Sequence, residues 1–261
     1  MGKEENSQTG KIWLIGGTSE SAKLAQALAK AQLSSIVTVT TPAAKNLYPQ
    51  TPWLQVLVGK LDVSHVDDFC RQQHIVTIVD ASHPYARQIS HLAIATAQQY
   101  HLPYLRFERP NLEEDLDIIK LNNFEELLAG NYLDQQRVLL TVGYQALPLF
   151  VSWHHKSTLF ARILPKVKSL EVALRAGFTS EQIIAFRPPL TPELEMALWQ
   201  QWKISLVVTK ASGSAGGEGI KRHVAKQLGI PLVVINRPPI DYPQQTSDLS
   251  AVLAFCQQYI L

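Results

Sequence analysis

The chain has 261 residues, of which 46% are hydrophobic and 18% are charged, a composition typical of globular proteins. At about 150 residues per domain, this length predicts one large or two medium-sized domains. The 24 basic and 22 acidic residues leave a formal net charge of +2, which excludes a protein whose main task is to coat nucleic acid or an anionic membrane. The same balance permits a local basic pocket for an acidic small molecule.

Cysteine usage and the first residues predict a cytoplasmic protein. Cys70 and Cys256 lie far apart and form no C-x-x-C pair or Cys/His cluster, so we expect a reducing compartment and no metal site. Residues 1–10 are polar and lack the apolar segment of a signal peptide, and we expect them to form a disordered lead-in. No apolar run approaches the roughly 18 residues of a membrane span.

Short apolar runs alternate with helical stretches along the chain. In the first half, strands are predicted at residues 12–15, 36–40, 56–58, 75–79 and 103–107, and helices at 19–31, 62–73 and 85–100. In the second half, strands are predicted at residues 138–141, 159–163, 183–186, 206–209 and 232–235, and helices at 143–152, 168–176, 191–202, 217–228 and 247–259. Polar residues 108–117 form the best boundary between the halves.

This alternation predicts an α/β fold. Near-continuous apolar strands separated by helices favour parallel sheets covered on both faces. We expect two consecutive doubly wound domains, residues 11–115 and residues 116–261. Ligands of such sheets bind beyond the carboxyl ends of the strands, so the loops at those ends are the candidate sites.

The loop after the first predicted strand, residues 16–21, reads G-G-T-S-E-S. Glycines allow the backbone to approach a pyrophosphate, and a helix start offers free N–H groups and a positive dipole end. The loop is not a full G-x-G-x-x-G, so a tight turn with a capping Thr or Ser remains the alternative. The candidate cofactor-binding residues here are Gly16, Gly17, Thr18, Ser19 and Glu20.

The end of the second predicted strand favours NADP over NAD. NAD-preferring units carry an acid about 20 positions after the glycines, where it holds the ribose 2′-hydroxyl. Residues 39–45 contain no acid, and Thr41 with Lys45 would suit a 2′-phosphate. The alternative is that Lys45 is an ordinary solvated loop lysine.

Polar residues also follow the fourth and fifth strands. His83 and Tyr85 are candidate catalytic residues, because a histidine with a pKa near neutrality can donate a proton or a hydrogen bond. Ser82 or His83 starting a helix is the structural alternative. Arg106 and Arg109 can clamp carboxylates in bidentate geometry, although Arg106 can equally pair with Glu108 or Asp115.

The second half contributes two further loops. Gly143 opens a predicted helix after a strand. Residues 209–222 contain four glycines and two serines bracketed by Lys210, Lys221 and Arg222, which predicts an anion-binding loop before a helix. No Walker A pattern aligns with it, and a flexible loop is the alternative.

Several of these blocks together resemble the precorrin-6A reductases of cobalamin biosynthesis, including the cobalt-precorrin-6A reductases. The resemblance is carried by residues 16–20, 80–86 (D-A-S-H-P-Y-A), 103–110 (P-Y-L-R-F-E-R-P), 140–143, 162–165, 208–213, 216–217, 221, 228–231 and 236–238. It implies two Rossmann-like domains with a cleft between them. It also implies NADPH-dependent reduction of one C=C bond in a polycarboxylate tetrapyrrole, which converts precorrin-6A, or its cobalt form, to precorrin-6B.

The resemblance assigns roles to the strand-end loops. His83 or Tyr85 would supply the proton. Further cofactor contacts would come from Thr41, Lys45, Ser82, Gly143, Thr209, Lys210, Ser212 and Gly213. Substrate contacts would come from Arg87, Arg106, Arg109, Tyr144 and Lys221.

Three other functions use a similar first loop. A short-chain dehydrogenase normally needs a Tyr-x-x-x-Lys pair, and no tyrosine of this chain has a lysine four positions later. A non-enzymatic NADP-sensing module would bind the cofactor without turnover, and a methyltransferase would bind S-adenosylmethionine instead. The oligomeric state is left open.

Overall fold

A computed structural model describes residues 10–110, 112 and 118–260. The strands are β1 (Lys11–Ile15), β2 (Ser35–Val39), β3 (Leu54–Val58), β4 (Ile75–Asp80), β5 (Tyr104–Phe107), β6 (Ile118–Leu121), β7 (Arg137–Leu140), β8 (Thr158–Ile163), β9 (Ile183–Ala185), β10 (Leu206–Lys210), β11 (Leu232–Ile235) and β12 (Gln245–Thr246). The α-helices are α1 (Ser19–Lys30), α2 (Pro42–Lys45), α3 (Val66–Gln72), α4 (Arg87–Tyr100), α5 (Phe124–Ala129), α6 (Val167–Arg175), α7 (Pro192–Gln201), α8 (Glu218–Leu228) and α9 (Leu249–Gln257). Short 3-10 helices lie at Tyr144–Trp153, Ser180–Gln182 and Ser214–Gly216.

The chain folds into two compact units. Unit 1 consists of Met1–Arg109 together with Pro239–Leu261, and unit 2 consists of Pro110–Pro238. Each contains one six-stranded sheet whose strand pairs are parallel, in the order β12-β5-β4-β1-β2-β3 in unit 1 and β6-β11-β10-β7-β8-β9 in unit 2. The predicted α/β fold with two Rossmann-like halves is therefore confirmed.

The core of unit 1 follows from the two-residue period of its strands, which sends successive side chains to opposite faces of a sheet. Along β1, Ile12 and Leu14 pack into the apolar cluster beneath α1 and α9. Trp13 and Ile15 pack into the cluster beneath α3 and α4. Both faces are thus covered, as the near-continuous apolar strands predict.

Unit 2 is built in the same way. Val138 and Leu140 of β7 pack with the 3-10 helix Tyr144–Trp153 on one face, and Leu139 packs beneath α7 and α8 on the other. An α-helix was expected at residues 143–152. The segment forms a 3-10 helix with Pro148 inside it, because proline lacks the N–H that an α-helical interior requires.

The sixth strand of the unit 1 sheet, β12, comes from the end of the chain, after the whole of unit 2. After β5 the chain supplies β6 to the edge of the unit 2 sheet, and after β11 it supplies β12 to the edge of the unit 1 sheet. The predicted assignment of all residues after 115 to a second domain therefore differs from the structure, in which residues 239–261 belong to unit 1. The cause is burial of Val252, Phe255 and Cys256 of α9 in the unit 1 core. Position 115 lies outside the described residues.

Strands β5 and β11, which each lie next to an edge strand of their sheet, also match in sequence. Residues 103–110 read P-Y-L-R-F-E-R-P and residues 231–238 read P-L-V-V-I-N-R-P. Each follows a helix whose C-cap is left-handed, His101 with φ 53° and Gly229 with φ 63°. The two units therefore share one pattern of helix, turn and strand.

Candidate functional site

The loop after β1 is held by a capping box at the start of α1. The Thr18 hydroxyl accepts a hydrogen bond from the Ser21 backbone N–H at 3.0 Å, and the Ser21 hydroxyl accepts one from the Thr18 N–H at 3.0 Å. Gly17 has a φ of 101°, which favours glycine. A Cβ at Gly17 would meet nothing within 4 Å, so open space lies beside the backbone at this point.

Tyr48 belongs to this loop, although no sequence motif indicates it. Its hydroxyl accepts a hydrogen bond from the Gly17 N–H at 2.7 Å and lies 2.7 Å from the Ser21 hydroxyl. A Cβ at Gly16 would stand 2.3 Å from that hydroxyl and 2.7 Å from Cγ1 of Val37, so only glycine fits. Burial raises the pKa of Tyr48, and the phenol stays protonated.

The first turn of α1 presents backbone donors and one acid. No group among the described residues accepts a hydrogen bond from the N–H of Ser19 or Glu20, and unpaired donors at a helix start bind anions. The Glu20 carboxylate pairs with the Arg109 guanidinium at 3.0 Å, an arginine that the sequence assigned to substrate. Thr41 and the exposed Lys45 lie at the carboxyl end of the neighbouring strand β2.

The loops after β1 and β4 are joined through a side chain. The Thr18 hydroxyl donates to the Ala81 carbonyl at 2.9 Å. Asp80, which is fully buried at the end of β4, accepts from the Ser82 N–H at 3.0 Å and the Ser90 hydroxyl at 2.6 Å. The segment that carries the candidate catalytic residues is thereby fixed to both α1 and α4.

Arg106 lies inside this network and does not face solvent. It is 1% exposed, and its guanidinium donates to Asp80 at 2.9 Å, Ser82 at 3.1 Å and Glu108 at 2.8 Å. Burial alone would lower the pKa of Arg106, but the charges of Asp80 and Glu108 raise it. The expected role in binding a substrate carboxylate is replaced by an internal ion pair, the alternative that involves Glu108.

Tyr104 completes the network. Its hydroxyl donates to the second carboxylate oxygen of Asp80 at 2.9 Å, and both burial and the Asp80 charge raise the pKa of Tyr104. Tyr242, which follows β11 in the chain, places its ring 5.1 Å from the Arg106 guanidinium carbon. These residues were not predicted, because they come from strand interiors and from a distant segment of the chain.

His83 and Tyr85 lie together beyond β4. Their ring centroids are 5.8 Å apart; His83 is exposed and Tyr85 is half-buried. The Tyr85 N–H donates to Nδ1 of His83 at 3.2 Å, so the proton of a neutral imidazole belongs on Nε2. Helix α4 starts at Arg87, two residues later than predicted, and Arg87 is exposed.

In unit 2, Gly143 and Lys210 approach each other where β7 and β10 end. Gly143 has a φ of 81°, and a Cβ there would stand 3.9 Å from the Lys210 ammonium. Burial lowers the pKa of Lys210. Tyr144 is half-buried and begins the 3-10 helix, so this loop leads into no α-helix and offers a weaker anion site than α1 does.

The glycine-rich loop after β10 is closed by its own helix. The Glu218 carboxylate accepts from the Gly213 N–H at 2.8 Å and from Arg222 at 2.6 Å. An internal carboxylate therefore takes the place predicted for a bound anion. Thr209 and Ser212 are buried, and a Cβ at Gly216 would collide with the Ser212 hydroxyl at 2.0 Å.

Lys221, expected to bind substrate, is 3% exposed. Its ammonium donates to the carbonyls of Gly216 at 3.3 Å and Gly217 at 3.0 Å. Burial and the nearby Arg162 charge lower the pKa of Lys221 to about 8. Arg162 forms an ion pair with the buried Glu195 of α7. Lys221 is therefore a buried residue that stabilises the glycine-rich loop through its backbone carbonyls.

A pocket of about 330 Å³ lies at the carboxyl ends of β10, β11 and β6. It is lined by Leu112, Lys120, Ala211, Glu218, Arg222, Val234, Asn236 and Arg237. Three cations and one acid make its lining basic. The described residues include no group of three or more His, Cys, Asp or Glu placed to hold a metal ion. Within the same ranges, no helix has the length and apolar character to cross a membrane.

Comparison with known proteins identifies a matching family, related sequences and a related solved structure. Residues 11–257 match the family described as precorrin-6x reductase CbiJ/CobK. A cobalt-precorrin-6A reductase of Synechocystis is 46% identical over 95% of this chain and 97% of its own length. A protein of the same description from Priestia megaterium is 32% identical over 88% and 92%. The solved structure of CobK precorrin-6A reductase shares the fold, with a TM-score of 0.76, 22% identity, and coverage of 96% of this chain and 97% of that chain.

Proposed function

The chain belongs to the precorrin-6x reductase CbiJ/CobK family, and we propose that it reduces one C=C bond of cobalt-precorrin-6A with NADPH during cobalamin biosynthesis. The observation that carries this proposal is the match to a cobalt-precorrin-6A reductase over 95% of this chain and 97% of that relative. Two relatives named for the cobalt form favour it over the metal-free ring.

Unit 1 is the proposed site for NADPH. The open space at Gly17, the unpaired N–H groups of Ser19 and Glu20, and the capping Thr18 suit a pyrophosphate at the start of α1. Thr41 and Lys45 lie at the end of the adjacent strand, where they suit a 2′-phosphate. When bound, the cofactor supplies a hydride, and the protein supplies position and electrostatics.

Glu20 also lies in the loop that we propose binds the pyrophosphate. Its charge would repel a pyrophosphate, but its pairing with Arg109 at 3.0 Å offsets that charge. We therefore assign Arg109 to the cofactor loop.

The loop after β4 is the proposed source of the proton that the second ring carbon takes up. His83 is exposed and holds its neutral-state proton on Nε2, and Tyr85 lies beside it. Asp80 and Arg106 fix the backbone beneath both residues. Unchanged turnover in both His83→Ala and Tyr85→Phe would remove this role from the pair.

Substrate carboxylates would meet cations at the strand ends. Arg87 is exposed at the start of α4, and Lys210 lies with Gly143 and Tyr144 in unit 2. Lys221 and Arg106 are excluded from this set because both are buried.

The test is to incubate the protein with cobalt-precorrin-6A or precorrin-6A and with NADPH or NADH. We expect NADPH to be consumed only when a ring substrate is present, and NADH to be consumed more slowly. Binding of NADPH without turnover of either ring would contradict the proposal and favour a sensing module. Thermal stabilisation by S-adenosylmethionine in place of NADPH would favour a methyltransferase.

A further inference from the structure

The side chain of Tyr48 joins two segments of unit 1 that we propose bind NADPH. Tyr48 follows α2 and its N–H donates to the Lys45 carbonyl at 3.2 Å, so it belongs to residues 41–48, the segment that carries the candidate 2′-phosphate ligands. It is 7% exposed and packs in the apolar cluster beneath α1 and α9. Its hydroxyl lies 2.7 Å from the Gly17 N–H, in the loop proposed for the pyrophosphate. One buried side chain therefore connects the two candidate phosphate sites.

The hydrogen-bond donors fix the direction of this connection. The Gly17 N–H can only donate, so the Tyr48 oxygen accepts from it, and the phenolic proton is left for the Ser21 hydroxyl at 2.7 Å. The Ser21 hydroxyl in turn donates to the Thr18 carbonyl at 2.7 Å. Because burial raises the pKa of Tyr48, the phenol keeps its proton and this chain of hydrogen bonds stays intact at neutral pH.

The segment of residues 41–48 depends on Tyr48 for its position. Among the described residues, the hydrogen bonds that join this segment to residues 16–21 all involve the Tyr48 hydroxyl. Helix α2 has only four residues, and a helix this short takes its stability from tertiary contacts. Lys45 is exposed and Thr41 is half-buried, whereas Tyr48 is the one buried residue of the segment. Tyr48 is therefore its anchor.

The position of this segment matters for a ligand that is held at two points. NADPH carries a 2′-phosphate in addition to the pyrophosphate, and such a ligand binds best when both contact points are fixed in advance. NADH lacks the 2′-phosphate and would depend on the pyrophosphate loop alone. Loss of the Tyr48 hydroxyl should therefore weaken the binding of NADPH more than that of NADH.

We propose that Tyr48 is a positioning residue that sets the preference for NADPH, with its hydroxyl holding residues 41–48 in a fixed position relative to the Gly17 backbone. This hydroxyl already bonds the loop after β1, so Tyr48 acts on the cofactor through Thr41 and Lys45. The inference rests on the proposed function and adds to it a residue that determines cofactor specificity.

The test measures the dissociation constants of NADPH and NADH for the wild type and for Tyr48→Phe, by fluorescence titration of the full chain without the ring substrate. Loss of the hydroxyl should raise the NADPH constant roughly tenfold and the NADH constant by a factor of about two or less. With NADPH and the ring substrate both saturating, kcat should stay close to the wild-type value, because Tyr48 contacts neither reactant.

Lys45→Gln separates positioning from a general loss of stability. Lys45 is exposed, so this substitution leaves the packing of unit 1 intact and removes the charge proposed to meet the 2′-phosphate. In the Lys45→Gln background, Tyr48→Phe should raise the NADPH constant by about threefold or less, because one of the two groups that it positions is already gone. A purely structural effect of Tyr48 would have the same size in both backgrounds.

Thr77→Val is the matched control. Thr77 is fully buried in β4, and its hydroxyl donates to the Pro103 carbonyl at 3.1 Å. Like Tyr48→Phe, this change removes a buried hydroxyl of unit 1 and nearly keeps the shape of the side chain, but it touches neither of the two segments. Both dissociation constants should equal those of the wild type.

An equal change of both dissociation constants in Tyr48→Phe, or no change in either, would overturn the inference. So would a rise for NADPH that keeps its full size in the Lys45→Gln background or that also occurs in Thr77→Val. If the wild type binds neither dinucleotide, or binds NADPH and reduces neither ring, it is the proposed function that fails.

Discussion

At the scale of single residues, the two glycines after β1 obey different constraints. Gly17 needs a positive φ and has open space beside it. Gly16 is required because a Cβ would collide with the Tyr48 hydroxyl at 2.3 Å and with Val37 at 2.7 Å. A sequence motif shows that glycines are present at these positions. The reason that position 16 must be glycine is its contact with a tyrosine 32 positions later, and no local pattern links the two residues.

Gly16→Ala should lower the free energy of unfolding by about 1–3 kcal/mol, since extra volume in a packed site forces its neighbours to move. Tyr48→Phe removes the nearest colliding atom, so the double variant should be less destabilised than the sum of the two single changes. Urea unfolding of all four proteins measures this coupling. Strict additivity would contradict the contact.

Lys221 predicts a pH dependence of stability. Its pKa is about 8 in the folded protein, whereas the ordinary pKa of a lysine is 10.5, so between these pH values the unfolded chain binds more protons than the folded one. The free energy of unfolding contributed by this group therefore rises with pH across that window. Relative to Lys221→Met, the wild type should gain about 1 kcal/mol per pH unit.

Urea unfolding of both proteins at several pH values across that window provides the measurement. Their difference should be constant below the folded pKa. A difference that stays flat throughout, or that falls as pH rises, would show that the ammonium is not destabilised by burial.

At the scale of elements, a buried ion pair joins β4, β5 and α4. Asp80 ends β4, Arg106 lies in β5 and Ser90 lies in α4, and hydrogen bonds to Asp80 connect all three. Arg106 also reaches Ser82. The segment with His83 and Tyr85 thus takes its position from the packing of three elements.

Arg106→Met should destabilise unit 1 by about 3–5 kcal/mol, because it leaves the Asp80 carboxylate buried without its charge partner. Arg106→Lys keeps the charge but cannot donate to Asp80 and Glu108 in the same fork-like geometry, so it should recover only part of the loss. Chemical denaturation followed by tryptophan fluorescence measures both. Wild-type stability in Arg106→Met would contradict the network.

The alternation of apolar runs and helical stretches predicts ten of the strands, because each of these runs is long enough to form one strand of a buried sheet. The two that escape prediction, β6 and β12, are edge strands. β12 has only two residues, Gln245 and Thr246, which are not apolar. Their membership in a sheet depends on a partner strand from elsewhere in the chain, and a sequence pattern carries no such information.

The candidate site is predictable to the same extent. The sequence places the candidate loops at the ends of strands, where the structure also has them, since a glycine turn or a polar cluster after an apolar run is a local signal. The sequence assigns Arg106 and Lys221 to substrate binding because basic side chains are suited to bind carboxylates. Their burial, and their partners such as Asp80 and Gly217, depend on tertiary packing, which a sequence pattern does not reveal.

At the scale of the whole molecule, the return of the chain from unit 2 to form β12 makes unit 1 depend on both ends of the chain. Residues 239–261 provide β12 and α9. The apolar side chains of α9, Val252 and Phe255, pack in the same cluster as Leu24 and Leu28 of α1. Unit 2, in contrast, is formed by one continuous segment of the chain.

A chain that ends at Pro238 should therefore lose unit 1 and keep unit 2. Hydrogen exchange read by mass spectrometry should show fast exchange in β1, β2, β4 and β5 and continued protection in β7, β8, β10 and β11. Adding a peptide of residues 239–261 should restore protection to unit 1. Full protection of β1 and β4 without the peptide would show that the segment is dispensable.

We propose that the chain transfers a hydride from NADPH to a ring carbon of cobalt-precorrin-6A. The most direct measurement supplies NADPH that carries deuterium at the transferable position of the nicotinamide, in ordinary water, and records the mass of the tetrapyrrole product. We expect a product that gains one deuterium from the cofactor and one hydrogen from water, with one NADPH consumed per ring. A product of unchanged mass, or one reduced without deuterium, would contradict it.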